Sequence, residues 1–206
     1  MVVQTGKVDL ALYTPGTLEE AKANPLSQLP EFQKVAFVAN LFSQPAHFIV
    51  RRGAGIESPA DLKGKRVHLG LKDSGDYAMS QALLEHFNLK GSIKEVPELE
   101  YSDVVKCFED DKLDAAFISA GVHAKVFKDL AKTGKCDLID IPNGEALAKK
   151  HLFTYPYTIP AGLYSFLPRV VPESDVETVA AREQLLTHSD VNATLVQEVI
   201  KLVLDE

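Results

Sequence analysis

Two strand-to-helix turns carry the side chains that could do chemistry. The first is the loop GLKDSGD at residues 70–76, and the second is the tripeptide SAG at residues 119–121. The first backbone N–H groups of a helix lack partners and carry a partial positive charge, so such turns bind carboxylates and phosphates. Ser74 would supply a hydroxyl, and Gly75 would let a ligand approach the backbone closely. Two such turns in one α/β unit predict a binding crevice at the carboxyl ends of its strands.

A plain helix cap is the alternative interpretation of the first turn, because Ser and Asp are preferred N-cap residues. The loop contains neither GxxxxGK[ST] nor GxGxxG, so it does not support a nucleotide site. Asp73 and Asp76 would also repel an anion. The loop is therefore either the seat of a small anion or a structural cap.

Catalysis finds no support in the motifs. The six histidines form no HExxH pair, no GxSxG accompanies the serines, and His68 lies within a strand pattern as a packed or edge residue. Cys107 and Cys136 lie far apart without companion cysteines, so a sulfur-based metal site is excluded. One disulfide and two unrelated thiols both remain open. We expect a protein that binds rather than catalyses, without metal or cofactor.

The elements that must position these turns alternate along the chain. Apolar runs predict strands at residues 8–13, 34–40, 47–51, 65–70, 93–96, 114–119 and 137–141. Helices are predicted at residues 19–23, 77–87, 145–150 and 192–204, and a helical turn at 58–62. Two further helices are predicted to start at 102–103 and at 120–121 and to extend through 108 and 130, respectively. Residues 154–164 form an extended segment rich in Pro and Tyr, suited to a connection between two lobes. This order predicts an α/β architecture with largely parallel strands covered on both faces.

Composition and net charge limit the classes of protein to which the chain can belong. The chain has 206 residues, of which 46% are hydrophobic and 25% charged, as in soluble globular domains. A net charge of −7 argues against a nucleic-acid partner, because phosphate neutralisation needs a basic face. No apolar run reaches the roughly 18 residues of a membrane span. The start MVVQTG does not resemble a signal peptide, so the protein is either cytosolic or has lost a targeting segment.

Five stretches of the chain resemble known motifs. Residues 55–67 (GIESPADLKGKRV) resemble the I-x-S-x-x-D-L-K-G-K-x-V signature of type II periplasmic solute-binding proteins. Four more resemble the TAXI family of TRAP-transporter substrate-binding proteins: residues 6–11 (GKVDLA), 41–51 (LFSQPAHFIVR), 112–122 (KLDAAFISAGV) and 155–164 (YPYTIPAGLY). Because the matches run in order over nearly the whole chain, chance is an unsatisfactory explanation.

The resemblance implies an α/β fold of the two-lobed type II periplasmic binding protein kind, a Venus flytrap with one lobe incomplete. Residues 1–51 would form part of lobe I, residues 52–157 the central lobe II, and residues 158–206 the hinge crossing and the return to lobe I. Family members begin with a strand and a Gly-rich helix start that have no counterpart here, which implies a truncated chain.

The function that the resemblance implies is capture of a small organic acid or amino acid in an interlobe cleft. The partners would be this ligand and the membrane permease subunits of a TRAP-type secondary transporter. The location would be periplasmic or extracytoplasmic, with any membrane anchor in segments outside this chain. Two alternatives stay open: a sensory or regulatory module of the same fold, and an enzyme of the same superfold such as a pyrimidine-precursor synthase.

Carried over by position, the resemblance also implies a set of ligand contacts. They are Tyr13, Thr14, Gln44, Ser74, Gly75, Asp76, Ser119, Gly121 and Tyr164. Two departures from the family pattern lie nearby. The charged loop KDSGD at residues 72–76 replaces a Gly-Ser-Gly-Thr type loop, and His123 stands where Pro is common.

Overall fold

The computed structural model describes residues 6–16, 34–165 and 167–204. Its strands are β1 Leu10–Tyr13, β2 Val35–Arg51, β3 Arg66–His68, β4 Lys94–Glu95, β5 Ala115–Ser119, β6 Cys136–Ile139, β7 Thr154–Ile159 and β8 Val176–His188. Its helices are α1 Gly75–His86, α2 Tyr101–Glu109, α3 Lys125–Thr133, α4 Gly144–Lys150 and α5 Ala193–Leu204, and Pro59–Leu62 forms a 3-10 turn. The predicted helix at residues 19–23 lies outside the described residues.

The chain divides into two compact units. Unit 1 combines Met1–Ser43 with Arg182–Glu206, and unit 2 is Gln44–Ala181. The long strands β2 and β8 each contribute residues to both units. The lobe boundaries expected from the sequence, after residues 51 and 157, stay predictions.

Unit 2 contains a mixed sheet with β5 at its centre. Strand β3 is parallel to both β4 and β5, whereas β2 is antiparallel to β5 and β6, and β7 is antiparallel to β8. The expectation of largely parallel strands therefore holds only for β3, β4 and β5, and it is wrong for the antiparallel pairs of β2 and β7. Parallel neighbours need a crossover connection, usually a helix, and the described chain supplies such helices, α1 and α2, between these three strands.

The core of unit 2 has two layers because β5 is buried on both faces. Ala115 and Phe117 pack in the cluster that contains Met79 and Leu83 of α1, while Ala116 and Ile118 pack in a second cluster. That second cluster includes side chains of α2 and α3, namely Val104, Phe108, Val126, Phe127 and Leu130. Each fully buried apolar side chain contributes about 1.5–3 kcal/mol. The predicted α/β class, with helices on both faces of an apolar strand, is confirmed.

Unit 1 is built on the antiparallel pair β1 and β8, in which Leu12 lies opposite Leu185. Several of its apolar side chains are open to solvent: Leu12 is 63% exposed, Phe37 of β2 is 56% exposed and Leu202 of α5 is 77% exposed.

Four observed elements, β2, β8, α2 and α3, differ from the sequence prediction. The strands at 34–40 and 47–51 are one strand, β2, because the residues between them are also extended. Strand β8 was not predicted, since its sequence VETVAAREQLLTH is rich in helix formers. Helix α2 begins at Tyr101 with Glu100 as N-cap, two residues before the predicted cap at residues 102–103. Helix α3 begins at Lys125 because residues 120–124 form a turn.

Both cysteines are free thiols, so the disulfide alternative is wrong for Cys107 and Cys136. Burial raises the pKa of Cys136 to about 11, which keeps it a neutral thiol. Within the described ranges, every helix is too short or too polar to cross a bilayer.

Candidate functional site

The candidate site lies in unit 2, where the loop after β3 enters α1 near the carboxyl end of β5. Gly70 is the residue that makes this loop possible. Its φ is +99°, and a Cβ there would meet Asp76 Cβ at 2.5 Å and the Tyr77 backbone nitrogen at 2.9 Å. Because only glycine fits such a close approach, Gly70 fixes the position of the first turn of α1.

The N-terminus of α1 is capped and still offers backbone donors. Ser74 is the N-cap, and its Oγ accepts a hydrogen bond from the Tyr77 N–H at 3.1 Å. The described part of the chain supplies no acceptor for the N–H groups of Gly75 and Asp76. The structural-cap interpretation is thus confirmed for the Ser74 oxygen, while two N–H groups remain at the positive end of the helix dipole.

Ser119 ends β5 with a buried hydroxyl that lacks a partner. The residue is only 5% exposed, and its Oγ has no hydrogen bond within the described residues. Side chains alternate along a strand, so Ser119 lies on the same face as Ala115 and Phe117, the face that packs against α1. A buried polar atom left unpaired costs about 1–3 kcal/mol. Of the two buried serine hydroxyls without a described partner, Ser80 and Ser119, that of Ser119 belongs to the residue whose N–H hydrogen-bonds to the first turn of α1.

Asp76 lies at the same place with its carboxylate already occupied. Its Oδ1 accepts a hydrogen bond from the Ser119 backbone N–H at 2.9 Å, and its Oδ2 accepts one from the Tyr101 hydroxyl at 2.8 Å. Burial raises the pKa of Asp76 to about 6, although both hydrogen bonds act in the opposite direction. Tyr101 was missed by sequence reasoning because it starts a different helix, and nothing in its local pattern points to Asp76.

Tyr164 is engaged with a buried histidine on the opposite face of β5. His47 Nε2 lies 2.5 Å from the Tyr164 hydroxyl oxygen, and His47 Nδ1 lies 2.8 Å from the Pro45 carbonyl oxygen and 3.2 Å from that of Ile118. Because both neighbours of Nδ1 are acceptors only, Nδ1 carries the proton and Nε2 accepts the Tyr164 O–H. Burial lowers the pKa of His47 to about 3, so the ring is neutral at physiological pH.

The His47 ring also stacks on Phe127 at a centroid distance of 3.6 Å. Tyr164 packs against the same phenyl ring at 5.2 Å, and burial raises the pKa of its hydroxyl. The Tyr164 proton therefore points to His47, and its oxygen retains the capacity to accept a further hydrogen bond. The sequence placed His47 within a motif without assigning it a role.

The remaining expected contacts are distributed over both units. Gln44 is half-buried on β2, two residues before Ala46, which is the register partner of Ser119. Gly121 is half-buried in the turn after β5, and its carbonyl accepts a hydrogen bond from the Ala124 N–H at 2.9 Å. Within unit 2 the structure thus brings Ser74, Gly75, Asp76 and Ser119 to one place.

Tyr13 and Thr14 belong to unit 1. Tyr13 ends β1 as a buried residue, and the Thr14 hydroxyl donates a hydrogen bond to Glu183 Oε2 at 2.7 Å. Their role as ligand contacts stays a prediction.

His68 is a packed residue of β3, as one of its two interpretations expected. It is almost fully buried, and neither of its ring nitrogens has a partner in the described structure. Its register partner is Ala116, so its side chain faces the cluster formed with α2 and α3. Burial lowers the pKa of His68 to about 4, so this ring is also neutral at physiological pH.

A separate groove of about 620 Å³ opens in unit 2 beside α4. Its charged lining consists of Asp140, Glu145, Lys149 and Glu177, and Asp140 Oδ1 accepts the Glu177 backbone N–H at 2.8 Å. None of the expected ligand contacts lines this groove. No group of three or more His, Cys, Asp or Glu in the described residues could hold a metal ion.

Comparison with known proteins identifies a family and a fold. The model of the NMT1-like family matches residues 1–206. The periplasmic aliphatic sulphonate binding protein SsuA from Escherichia coli is similar in structure, with a TM-score of 0.59 and 16% identity over 99% of this chain and 56% of that chain. XAC2383 from Xanthomonas citri bound to ATP is also similar, with a TM-score of 0.54 and 15% identity over 98% of this chain and 65% of that chain.

Holo ArgBP from T. maritima is also similar, with a TM-score of 0.50 and 15% identity over 99% of this chain and 66% of that chain. The chain spans between 56% and 66% of the length of these three structures. At such low sequence identities the similarity shows the fold alone. The fold is that of type II periplasmic binding proteins, as the motifs predicted.

Proposed function

The chain belongs to the NMT1-like family, and we propose that it is a solute-binding protein that holds the anionic group of a small ligand at the start of α1. The observation that carries this proposal is the Ser119 hydroxyl, which has no partner among the described residues, near the Gly75 and Asp76 N–H groups, for which the described residues supply no acceptor. Donors that converge at a helix N-terminus favour a carboxylate or a sulfonate.

The site would recognise the anionic group of the ligand through hydrogen-bond donors. The Ser119 O–H and the two backbone N–H groups would donate to the ligand, and the Ser74 O–H can also donate while its oxygen caps Tyr77. A hydrogen bond to a charged group contributes about 1.5–3 kcal/mol, so three such bonds correspond to affinities from about millimolar to about micromolar.

We infer that the protein is a binding protein rather than an enzyme, because the Ser119 hydroxyl has no base beside it among the described residues. Ser119 Oγ has no partner in the described structure, and the neutral His47 is held by Tyr164 and two carbonyl groups. A serine nucleophile needs an adjacent base to activate it.

The ligand class and the wider role follow from the resemblances. SsuA is named for aliphatic sulphonates, so alkanesulfonates are candidates beside small organic acids and amino acids. The resemblance to the TAXI family supports a periplasmic or extracytoplasmic protein that closes two lobes on its ligand. It also supports delivery of the ligand to the permease subunits of a TRAP-type transporter.

A calorimetric and thermal-shift screen tests the binding function. The protein is titrated with dicarboxylates, amino acids including arginine, and alkanesulfonates. We expect one class to raise Tm with increasing concentration, as ligand linkage requires. The variant Ser119→Ala should bind that class on the order of 10-fold or more weakly, because it loses one hydrogen bond to a charged group.

Ser80→Ala is the matched control. Ser80 also carries a buried hydroxyl without a described partner, but it lies further along α1. Its substitution should leave affinity unchanged. The proposal fails if no class binds, or if the two serine variants lose affinity equally.

A further inference from the structure

We propose that Asp76 and Tyr101 are positioning residues of this site: Tyr101 holds Asp76, Asp76 holds the Ser119 backbone against α1, and neither side chain touches the ligand. This inference rests on the proposed function and specifies how its site is held in shape. It also changes the role expected of Asp76 from the resemblance, from a ligand contact to a support.

The hydrogen bonds of Asp76 join three elements. Asp76 belongs to α1, Tyr101 to α2 and Ser119 to β5, and each carboxylate oxygen accepts one bond. The carboxylate could turn towards a ligand only by giving up one of them. Because Ser119 is 5% exposed, its N–H would then be left buried and unpaired.

The backbone of Asp76 is fixed as well. The Cβ that any residue other than glycine would place at position 70 falls 2.5 Å from Asp76 Cβ, which shows how tightly the loop presses on this residue. The bond from Asp76 to the Ser119 N–H thereby sets the direction of the neighbouring Ser119 hydroxyl relative to α1.

Protonation should weaken this arrangement. An ionised carboxylate accepts at both oxygens, whereas a protonated one must use one oxygen as a donor. Neither the Ser119 N–H nor a Tyr101 hydroxyl directed at Asp76 can accept that proton. Since burial raises the pKa of Asp76 to about 6, the change falls in a range in which binding can be measured.

The buried histidines on the neighbouring strands do not produce the same transition. Burial lowers the pKa of His47 on β2 to about 3 and that of His68 on β3 to about 4, so both rings stay neutral above pH 5. Burial raises the pKa of Tyr101 on α2 above its usual value. The remaining ionisable residues of the adjoining segments are Lys72, Asp73, Glu98, Glu100, Asp103 and His123.

A direct electrostatic role would have the opposite sign. If Asp76 acted on the ligand by charge alone, its ionised form would repel an anion, and affinity would rise as the pH falls. If Asp76 is a positioning residue, affinity falls as the pH falls. The sign of the pH dependence therefore separates the two roles.

The experiment measures affinity from pH 5.5 to 8 with ethanesulfonate and with glutamate, whose charges are constant in this range. Only the fraction of protein with an ionised Asp76 is competent, and at pH 5.5 this is roughly a quarter. We expect Kd to rise about fourfold between pH 7.5 and 5.5 for the probe that binds.

Two variants separate positioning from a merely structural effect. Tyr101→Phe removes a donor that stabilises the ionised form, so the midpoint of the pH profile should move to higher pH. Asp76→Asn cannot titrate, so its affinity should be independent of pH. His123→Asn, which replaces an exposed histidine after β5, is the control and should keep the wild-type midpoint.

Three results would overturn the inference: an affinity that rises towards low pH, a flat profile, or a Tyr101→Phe midpoint equal to that of the wild type. If neither probe nor any ligand of the screen binds, the proposed function itself is wrong. Binding without the expected pH profile would leave the proposed function standing and reject the positioning role.

Discussion

At the scale of single residues, two buried histidines show how context decides protonation. His47 has partners for both ring nitrogens, whereas His68 has none within the described residues. Burial lowers the pKa of both. For a histidine whose pKa is lowered in the folded state, the free energy of unfolding is highest above the unfolded pKa of about 6.5 and falls at lower pH, because only the unfolded chain then takes up the proton.

His68→Leu should therefore raise stability more at low pH than at high pH. The substitution removes an unpaired buried ring and the proton that unfolding would bind at that position. Between pH 8 and pH 5 we expect the gain in the free energy of unfolding to increase by about 2 kcal/mol. Urea unfolding at both pH values measures it, with the exposed His123→Leu as control. An equal effect of His68→Leu at the two pH values would contradict the prediction.

The sequence could predict the residues of the site that act through local geometry. Ser74, Gly75 and Ser119 follow from the strand-to-helix pattern, because caps and helix termini depend on neighbours in sequence. Tyr101 could not be predicted, since its contact with Asp76 joins two helices. The same holds for the bond between Tyr164 and His47, which depends on how β2 pairs with β5.

At the scale of elements, the loop between β3 and α1 depends on one glycine. Gly70 has a positive φ and no room for a side chain. Gly64 also has a positive φ, of +73°, but a Cβ added there would meet nothing within 4 Å. The two glycines thus separate the effect of backbone conformation from the effect of contact.

Gly70→Ala should displace the first turn of α1 and abolish ligand binding. Its added methyl group would collide with the backbone of Asp76 and Tyr77. Gly64→Ala should cost only about 1 kcal/mol, the usual strain of a left-handed conformation, and should keep the affinity. Thermal unfolding and calorimetry of both variants provide the comparison. Equal losses in the two variants would show that contact at Gly70 is unimportant.

Element prediction succeeded where periodicity or burial was strong. The buried strand β5 and the helix α1 lie close to their predicted positions. It failed for β8, whose residues 180–186 (AAREQLL) favour a helix and are held as a strand by pairing with β1 and β7. Tertiary pairing overrode local propensity there.

At the scale of the whole molecule, unit 1 exposes apolar side chains on two strands and on its helix. Leu12 of β1, Phe37 of β2 and Leu202 of α5 are all more than half exposed. We expect these side chains to contribute to an apolar patch, and such a patch favours association.

The protein should therefore self-associate with increasing concentration. The double variant Leu12→Gln and Phe37→Gln should be more monomeric, because it removes apolar contact area from the two strands. Light scattering over a range of concentrations measures the effect. Leu167→Gln, an exposed leucine of unit 2, is the control and should change it little. Unchanged scattering of the double variant would contradict this expectation.

The fold was predictable at this scale because five motifs occur in the order that the fold requires. Their order predicted a periplasmic binding protein fold, and the structural comparison confirms it. The TRAP-type transporter and the ligand remain predictions, because specificity depends on a few side chains brought together in three dimensions.

The neutral His47 ring has one further consequence, for spectroscopy. Its Nδ1 proton is shared between two buried carbonyl groups, so it should exchange slowly with solvent and give a separate low-field proton resonance. Ile118, one of the two acceptors, precedes Ser119 in β5. A shift of that resonance during a titration would report ligand binding without any label on the protein.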